Sequence, residues 1–80
     1  MLILNISEWT ANRLKVLCKE KNITINKLAT LSGITQSTLN SIIKGESKNP
    51  RLSTIKKICI GLNISINDFF DESFDELDID

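Results

Sequence analysis

A compact, all-helical fold of five short helices is predicted, and three observations predict it. Apolar residues recur at helical spacing in successive short segments, as in Leu14, Leu17, Cys18 and again in Leu39, Ile42, Ile43. The breaks between segments hold Asn22, Gly33 and Gly45, residues that tolerate a left-handed backbone, and Ser or Thr residues able to cap the next helix. Strict apolar–polar alternation is absent, except for Leu2 to Ile6, which reads either as an edge strand or as a loose end. At 80 residues the chain has room for one domain and hardly any for a deep enzyme cleft.

The first helix opens at Asn5 or Ser7, either of which can cap it, with Glu8 in the first turn where the helix dipole favours an acid. It runs through Leu14, Leu17 and Cys18 and stops near Lys21, before Asn22. Thr24 caps the second helix, whose inner face is expected to be Leu28, Ala29 and Leu31. Ser32-Gly33 breaks it, and Gly33 can take positive φ at no steric cost. Ile34 plugs the corner and Thr35 caps the third helix, with Leu39, Ile42 and Ile43 on one face. Gly45 ends it. A polar loop then runs into Pro50, which pushes the residue before it out of helical geometry. The fourth helix reads Leu52, Ile55, Ile58, Cys59 and Leu62. Ser65-Ile66-Asn67-Asp68 is a capping box opening a short fifth helix with Phe69 and Phe70. The organisation expected is an extension over 1–6, a helical domain over 7–70 and an acidic tail over 71–80.

Charge divides along the chain. Residues 1–67 hold ten bases and three acids, a net of +7, whereas residues 68–80 hold seven acids and no base. Such asymmetry fits a basic binding body with an acidic appendage, and equally a basic helical domain with a solubilising tail. The chain has no histidine, and its two cysteines, Cys18 and Cys59, lie too far apart in sequence for a zinc motif. Both are expected to be buried apolar fillers. Neither catalytic nor metal-binding residues are expected, nor any cofactor. Without a recognisable leader or an apolar run of about 18 residues, the expected place is the cytoplasm.

Two helices joined by a tight turn at Gly33 form a helix-turn-helix. The extended stretch from Arg13 to Phe70 resembles the phage-repressor-like (Cro-type, Xre) family, including the Asn49-Pro50 loop and the ending Gly61-Leu62-Asn63-Ile64-Ser65-Ile66-Asn67-Asp68-Phe69-Phe70. What the resemblance implies is a lambda-repressor-like five-helix bundle that binds specific double-stranded DNA, usually as a homodimer, with the third helix in the major groove. Gln36, Ser37, Asn40 and Ser41 stand where that helix would read bases. Amides pair with adenine and hydroxyls with several bases, at about 1–3 kcal/mol of discrimination for each good pair. Phosphate contacts would come from Thr24, Lys27, Thr35, Lys44, Lys48, Asn49 and Arg51. Many relatives pair an Arg late in the first helix with a Glu late in the third, where this chain has Cys18 and Ile43. Many also begin the second helix with Gln, where this chain has Ile25, a residue free to meet a sugar or thymine methyl if exposed.

Phe70, Phe74 and Leu77 fall at helical spacing among acids. With Phe69 they are candidate dimer contacts. The tail is also a candidate site for a protein partner, a competitor with DNA for the basic body, or a frayed end. A protein–protein module on the same fold, such as an antitoxin-like subunit, is the alternative function. On that reading the third helix would be expected to scatter acids or bulky apolar groups, which it does not.

Overall fold

The computed structural model describes residues 5–46 and 50–77. Six helices follow in order: α1 (Ile6–Lys21), α2 (Ile25–Ser32), α3 (Gln36–Ile43), α4 (Leu52–Leu62), α5 (Ile66–Phe69) and α6 (Glu72–Asp75). The sixth is new relative to the five expected. The described residues contain no strand: Ile6 already belongs to α1, and Leu2 to Leu4 lie outside them.

Short helices are marginal alone, so their ends must be satisfied locally and their faces buried together. Three of the connections use one three-residue device. At Asn22-Ile23-Thr24, Gly33-Ile34-Thr35 and Asn63-Ile64-Ser65, the first residue is left-handed, with φ of 55°, 69° and 58°. The isoleucine N–H reaches back to a carbonyl in the last turn: Ile23 to Cys18 at 3.0 Å, Ile34 to Ala29 at 3.1 Å, Ile64 to Cys59 at 3.0 Å. Each isoleucine packs against the core. The hydroxyl that follows accepts an N–H from the next helix: Thr24 from Lys27, Thr35 from Thr38 and Ser65 from Asp68. Each such cap contributes about 1 kcal/mol. At α5 the capping box is complete, since Asp68 Oδ2 also accepts the Ser65 N–H at 3.3 Å. Asn5, not Ser7, caps α1, accepting from the Glu8 N–H at 2.8 Å.

Leu14, Leu28, Leu39, Ile58, Cys59 and Phe69 are the most deeply buried side chains, drawn from five helices. Each large one contributes roughly 1.5–3 kcal/mol by leaving water. Cys18 and Cys59 are buried, and burial pushes both thiols up, with Lys56 opposing the shift at Cys59. Cys18 fills the core, and Ile43 is half-buried against the same core.

Three expectations are corrected. Leu31 is 45% exposed, because α2 turns Ser32 toward α4 instead. The contact is close: a Cβ on Gly61 would stand 3.0 Å from the Ser32 nitrogen and 3.1 Å from the Leu31 carbonyl carbon. Leu52 is 70% exposed at the start of α4. Residues 71–77 fold back onto α1, so the acidic segment is not a free tail over its first seven positions.

The fold-back centres on Trp9. Its ring stacks on Phe70 with centroids 5.6 Å apart and meets Phe69 and Phe74 edge-on at 5.7 and 5.1 Å. Arg13 closes the arrangement. Its Nε donates to the Phe69 carbonyl at 2.8 Å, one terminal nitrogen to the Asp68 carbonyl at 2.6 Å, and the other lies 3.2 Å from Asp71 Oδ2.

Candidate nucleic-acid interface

The core fixes which side of α3 faces out. Leu39 and Ile42 are buried and Ile43 is half-buried, so the opposite side cannot be. Gln36, Ser37, Asn40 and Lys44 are exposed there, and Ser41 is half-buried beside them. The recurrence at i, i+1, i+4, i+5 and i+8 makes one continuous row of amides and hydroxyls ended by a cation. The Thr35 hydroxyl holds the start of the row, accepting the Thr38 N–H at 3.1 Å and donating to Thr38 Oγ1 at 2.9 Å.

Beside the row lies a hollow of about 490 Å³, bounded on α3 by Ser37, Thr38, Ser41 and Ile42 and on the far side by Pro50, Arg51 and Thr54. The fold thereby brings Arg51 to two of the base-reading candidates. Arg51 is the N-cap of α4 but its side chain supplies no capping acceptor. The positive end of α4 and the Arg51 guanidinium thus stand together at the hollow, an arrangement suited to an anion. Thr38 and Thr54 carry no signal in the sequence; only the approach of α4 to α3 reveals them, and it brings Pro50 of the loop beside them.

The other cationic and hydroxyl candidates spread around the row. Thr24 is exposed; its oxygen accepts the Lys27 N–H at 3.0 Å, leaving its proton free to donate. Lys27 is exposed on the first turn of α2. The Thr35 hydroxyl is occupied on both sides by Thr38, so a phosphate contact from Thr35 requires the proton to turn away from Thr38. Lys48 and Asn49 lie outside the described residues. Ile25 is half-buried and packs on the core.

The dimer candidates need revision. Phe69 is 0% exposed, taken up by the core of its own chain, and so offers no surface to a second copy. Phe70, Phe74 and Leu77 are half-buried against that core. Exposed apolar side chains lie elsewhere, at Val16, Leu31, Leu52 and Ile60, and of these Leu52, with Ser53, Lys56 and the half-buried Ile66, lines a shallow hollow of about 360 Å³ between α4 and α5. No helix among the described residues is long and apolar enough to cross a membrane.

Comparison with known proteins agrees with this geometry. The family model for the Cro/C1-type HTH DNA-binding domain matches residues 13–75. The HTH-type transcriptional regulator SlrR of Bacillus subtilis (strain 168) is 36% identical over 53 residues, which is 66% of this chain and 35% of SlrR. The HTH-type transcriptional repressor RghR of the same strain is 36% identical over 57 residues, 71% of this chain and 42% of RghR. Among solved structures, an HTH_3 family transcriptional regulator from Vibrio cholerae superposes with a TM-score of 0.74 at 36% identity, over 80% of this chain and 35% of that one. The prophage Lp1 protein 11 superposes with a TM-score of 0.76 at 43% identity, over 88% and 91% of the two chains. The chain therefore spans about two fifths or less of the curated relatives it matches.

Proposed function

The chain belongs to the Cro/C1-type helix-turn-helix DNA-binding family, and from that premise we propose that it is a sequence-specific regulator of transcription, acting as a repressor, whose α3 reads the major groove of double-stranded DNA. One observation carries the reading. The exposed side of α3 holds short, uncharged hydrogen-bonding side chains where charged ones would dissolve better. Amides and hydroxyls can sit flush against base edges, while long charged chains cannot.

Gln36 and Asn40 would pair with adenine, and Ser37 and Ser41 would take smaller hydrogen bonds beside them. Thr24, Lys27, Lys44 and Arg51 would hold the phosphates that set register and carry no sequence information. The hollow that Arg51 shares with Ser37 and Ser41 supports this role for it. A second copy would cover Leu52 and Ile66 about a two-fold axis, presenting two recognition helices to two half-sites. The acidic residues of the α6 segment would face away as a surface for a protein partner, and the protein would work in the cytoplasm.

Selection from random duplexes at two salt concentrations tests the reading. An enriched sequence is expected, with half-sites recurring about 34 Å apart. If about six phosphates are neutralised per half-site, affinity should fall with a log–log salt slope near −5. Absence of any enriched sequence sinks the proposal.

A further inference from the structure

The family match begins at residue 13, yet α1 begins at Ile6. The helical turns before the match make two long-range hydrogen bonds. Trp9 binds Ser73, and the Ser7 hydroxyl donates to the Gly45 carbonyl at 2.8 Å across 38 positions. We propose that Ser7 is a positioning residue for DNA binding: it pins the turn that ends α3 and so orients Lys44 and the last base-reading residues. This rests on the DNA-binding reading above.

A helix of eight residues has little stiffness of its own at its end, so its last turn goes where it is tied. Within the chain the tie is a left-handed Gly45, φ 74°, with its N–H on the Ile42 carbonyl at 3.0 Å and the Glu46 N–H on the Ser41 carbonyl at 2.9 Å. Both bonds lie inside the turn and move with it. Ser7 supplies the one described hydrogen bond that fixes the turn to another element.

The choice of partner is telling. A hydroxyl on a helix commonly bonds a carbonyl of the preceding turn, as Thr10 does to Ile6 at 2.7 Å. Ser7 is the second residue of α1, with no helical turn before it, and its hydroxyl donates to the turn after α3; the residue is only 8% exposed. Lys44, the C-cap of α3, is the residue directly before Gly45 and stands exposed at the end of the base-reading row. Held by its carbonyl, Gly45 anchors the chain one residue past Lys44, and a shift of the whole turn carries Lys44 with it. The platform carrying Ser7 is anchored from its far side, since Trp9, two residues on, is held by Phe69, Phe70 and Phe74.

The experiment compares the unaltered chain with Ser7→Ala and Ser7→Thr at a temperature where each is fully helical. Ser7→Cys takes the place of the alanine variant if that variant does not fold. Two readouts are needed: hydrogen exchange at the Gly45 and Glu46 amides without DNA, and the salt dependence of affinity for a selected duplex. Ser7→Ala should speed exchange at those two amides about fivefold, the equivalent of one net hydrogen bond. It should also reduce the salt slope by about one, the loss of one phosphate contact, with base preference at the Gln36 position kept. Ser7→Thr should restore both. Unchanged exchange overturns the tie itself. Faster exchange with unaltered affinity and slope overturns the positioning role and leaves a purely structural bond. An unaltered chain that binds no duplex overturns the functional reading beneath, a result distinct from either.

Discussion

Trp9 and Ser73, 64 positions apart, are joined by a hydrogen bond of 2.8 Å from the indole Nε1–H to the serine hydroxyl oxygen. Ser73 in turn donates to Asp71 Oδ1, the cap of α6, whose other oxygen faces Arg13. The chain Trp9–Ser73–Asp71–Arg13 starts and ends on α1. It secures a four-residue helix that no intrinsic propensity would maintain. Removing the serine hydroxyl by Ser73→Ala leaves a buried indole N–H unpaired and should cost about 1–3 kcal/mol. In a domain of this size about 1 kcal/mol lowers Tm by roughly 4–8 °C. A melting curve followed by Trp9 fluorescence checks this, and an unchanged Tm would count against the chain of bonds.

The same segment should respond to acid. The Ser73 hydroxyl hydrogen bond holds the Asp71 carboxyl below its usual range; the Ser73 backbone N–H and the Arg13 guanidinium act in the same direction, against a partial desolvation. A carboxylate with a lowered folded pKa stabilises the fold above its unfolded value of about 3.9, and that stability is lost as pH falls through the folded value. Wild type should therefore exceed Asp71→Asn in stability near neutrality, and the two should converge as pH drops below about 4. Denaturant midpoints across that range measure the convergence. A constant gap would remove Asp71 from the account.

At the interface, the two kinds of contact should separate. Asn40→Ala is expected to relax preference at one base position, at about 1–3 kcal/mol of discrimination, with the salt slope kept. Arg51→Ala should weaken all duplexes alike and reduce the slope by about one. Binding isotherms on matched and mismatched duplexes at several salt concentrations distinguish them. Identical behaviour of the two variants would end the division of labour drawn between α3 and the start of α4.

The apolar hollow between α4 and α5 makes its own demand. Leu52 is 70% exposed and lies beside Ile66. If a second copy covers this surface, Leu52→Glu should abolish the dimer while leaving the melting temperature of the monomer nearly as it was, because the side chain is solvated there. Sedimentation equilibrium over a range of concentrations gives the answer. A dimer that survives the glutamate lies on another face.

Gly61 tests the α2–α4 crossing. Alanine is favoured over glycine in a helix by about 1 kcal/mol. Its methyl would stand 3.0 Å from the Ser32 nitrogen and 3.1 Å from the Leu31 carbonyl carbon, both backbone atoms with little freedom to retreat. Overpacking of this kind costs about 1–3 kcal/mol. Gly61→Ala should therefore be destabilising on balance, read as a lowered denaturant midpoint. A stabilised variant would mean the two helices can part cheaply.

These residues also show what the sequence could and could not disclose. Helix ends were legible because capping is local: Asn22, Gly33, Thr24, Thr35 and the Ser65–Asp68 box act within three or four positions of themselves. The exposed side of α3 was legible for the same reason, since Leu39 and Ile42 dictate which side is left outside. Facts that depend on distant neighbours were not legible. Leu31 outranks Ser32 in any apolar reading, yet Gly61, on another helix, lacks the Cβ that would fill the space Ser32 occupies. The aromatic stripe of the acidic segment was visible, but its cover was not: Trp9 sits some 60 positions upstream. Phe69 accordingly read as a contact for a second copy when the first copy had already taken it.

That separation along the chain has a consequence for synthesis. The indole of Trp9 is made early and has no aromatic cover until Phe69, Phe70 and Phe74 have been added. Until then the nascent polypeptide displays a large, greasy ring on its first helix, and late closure of this sort is when growing chains stick to one another or are captured by chaperones. Messages broken before codon 69 should yield products that are cleared rather than ones that accumulate.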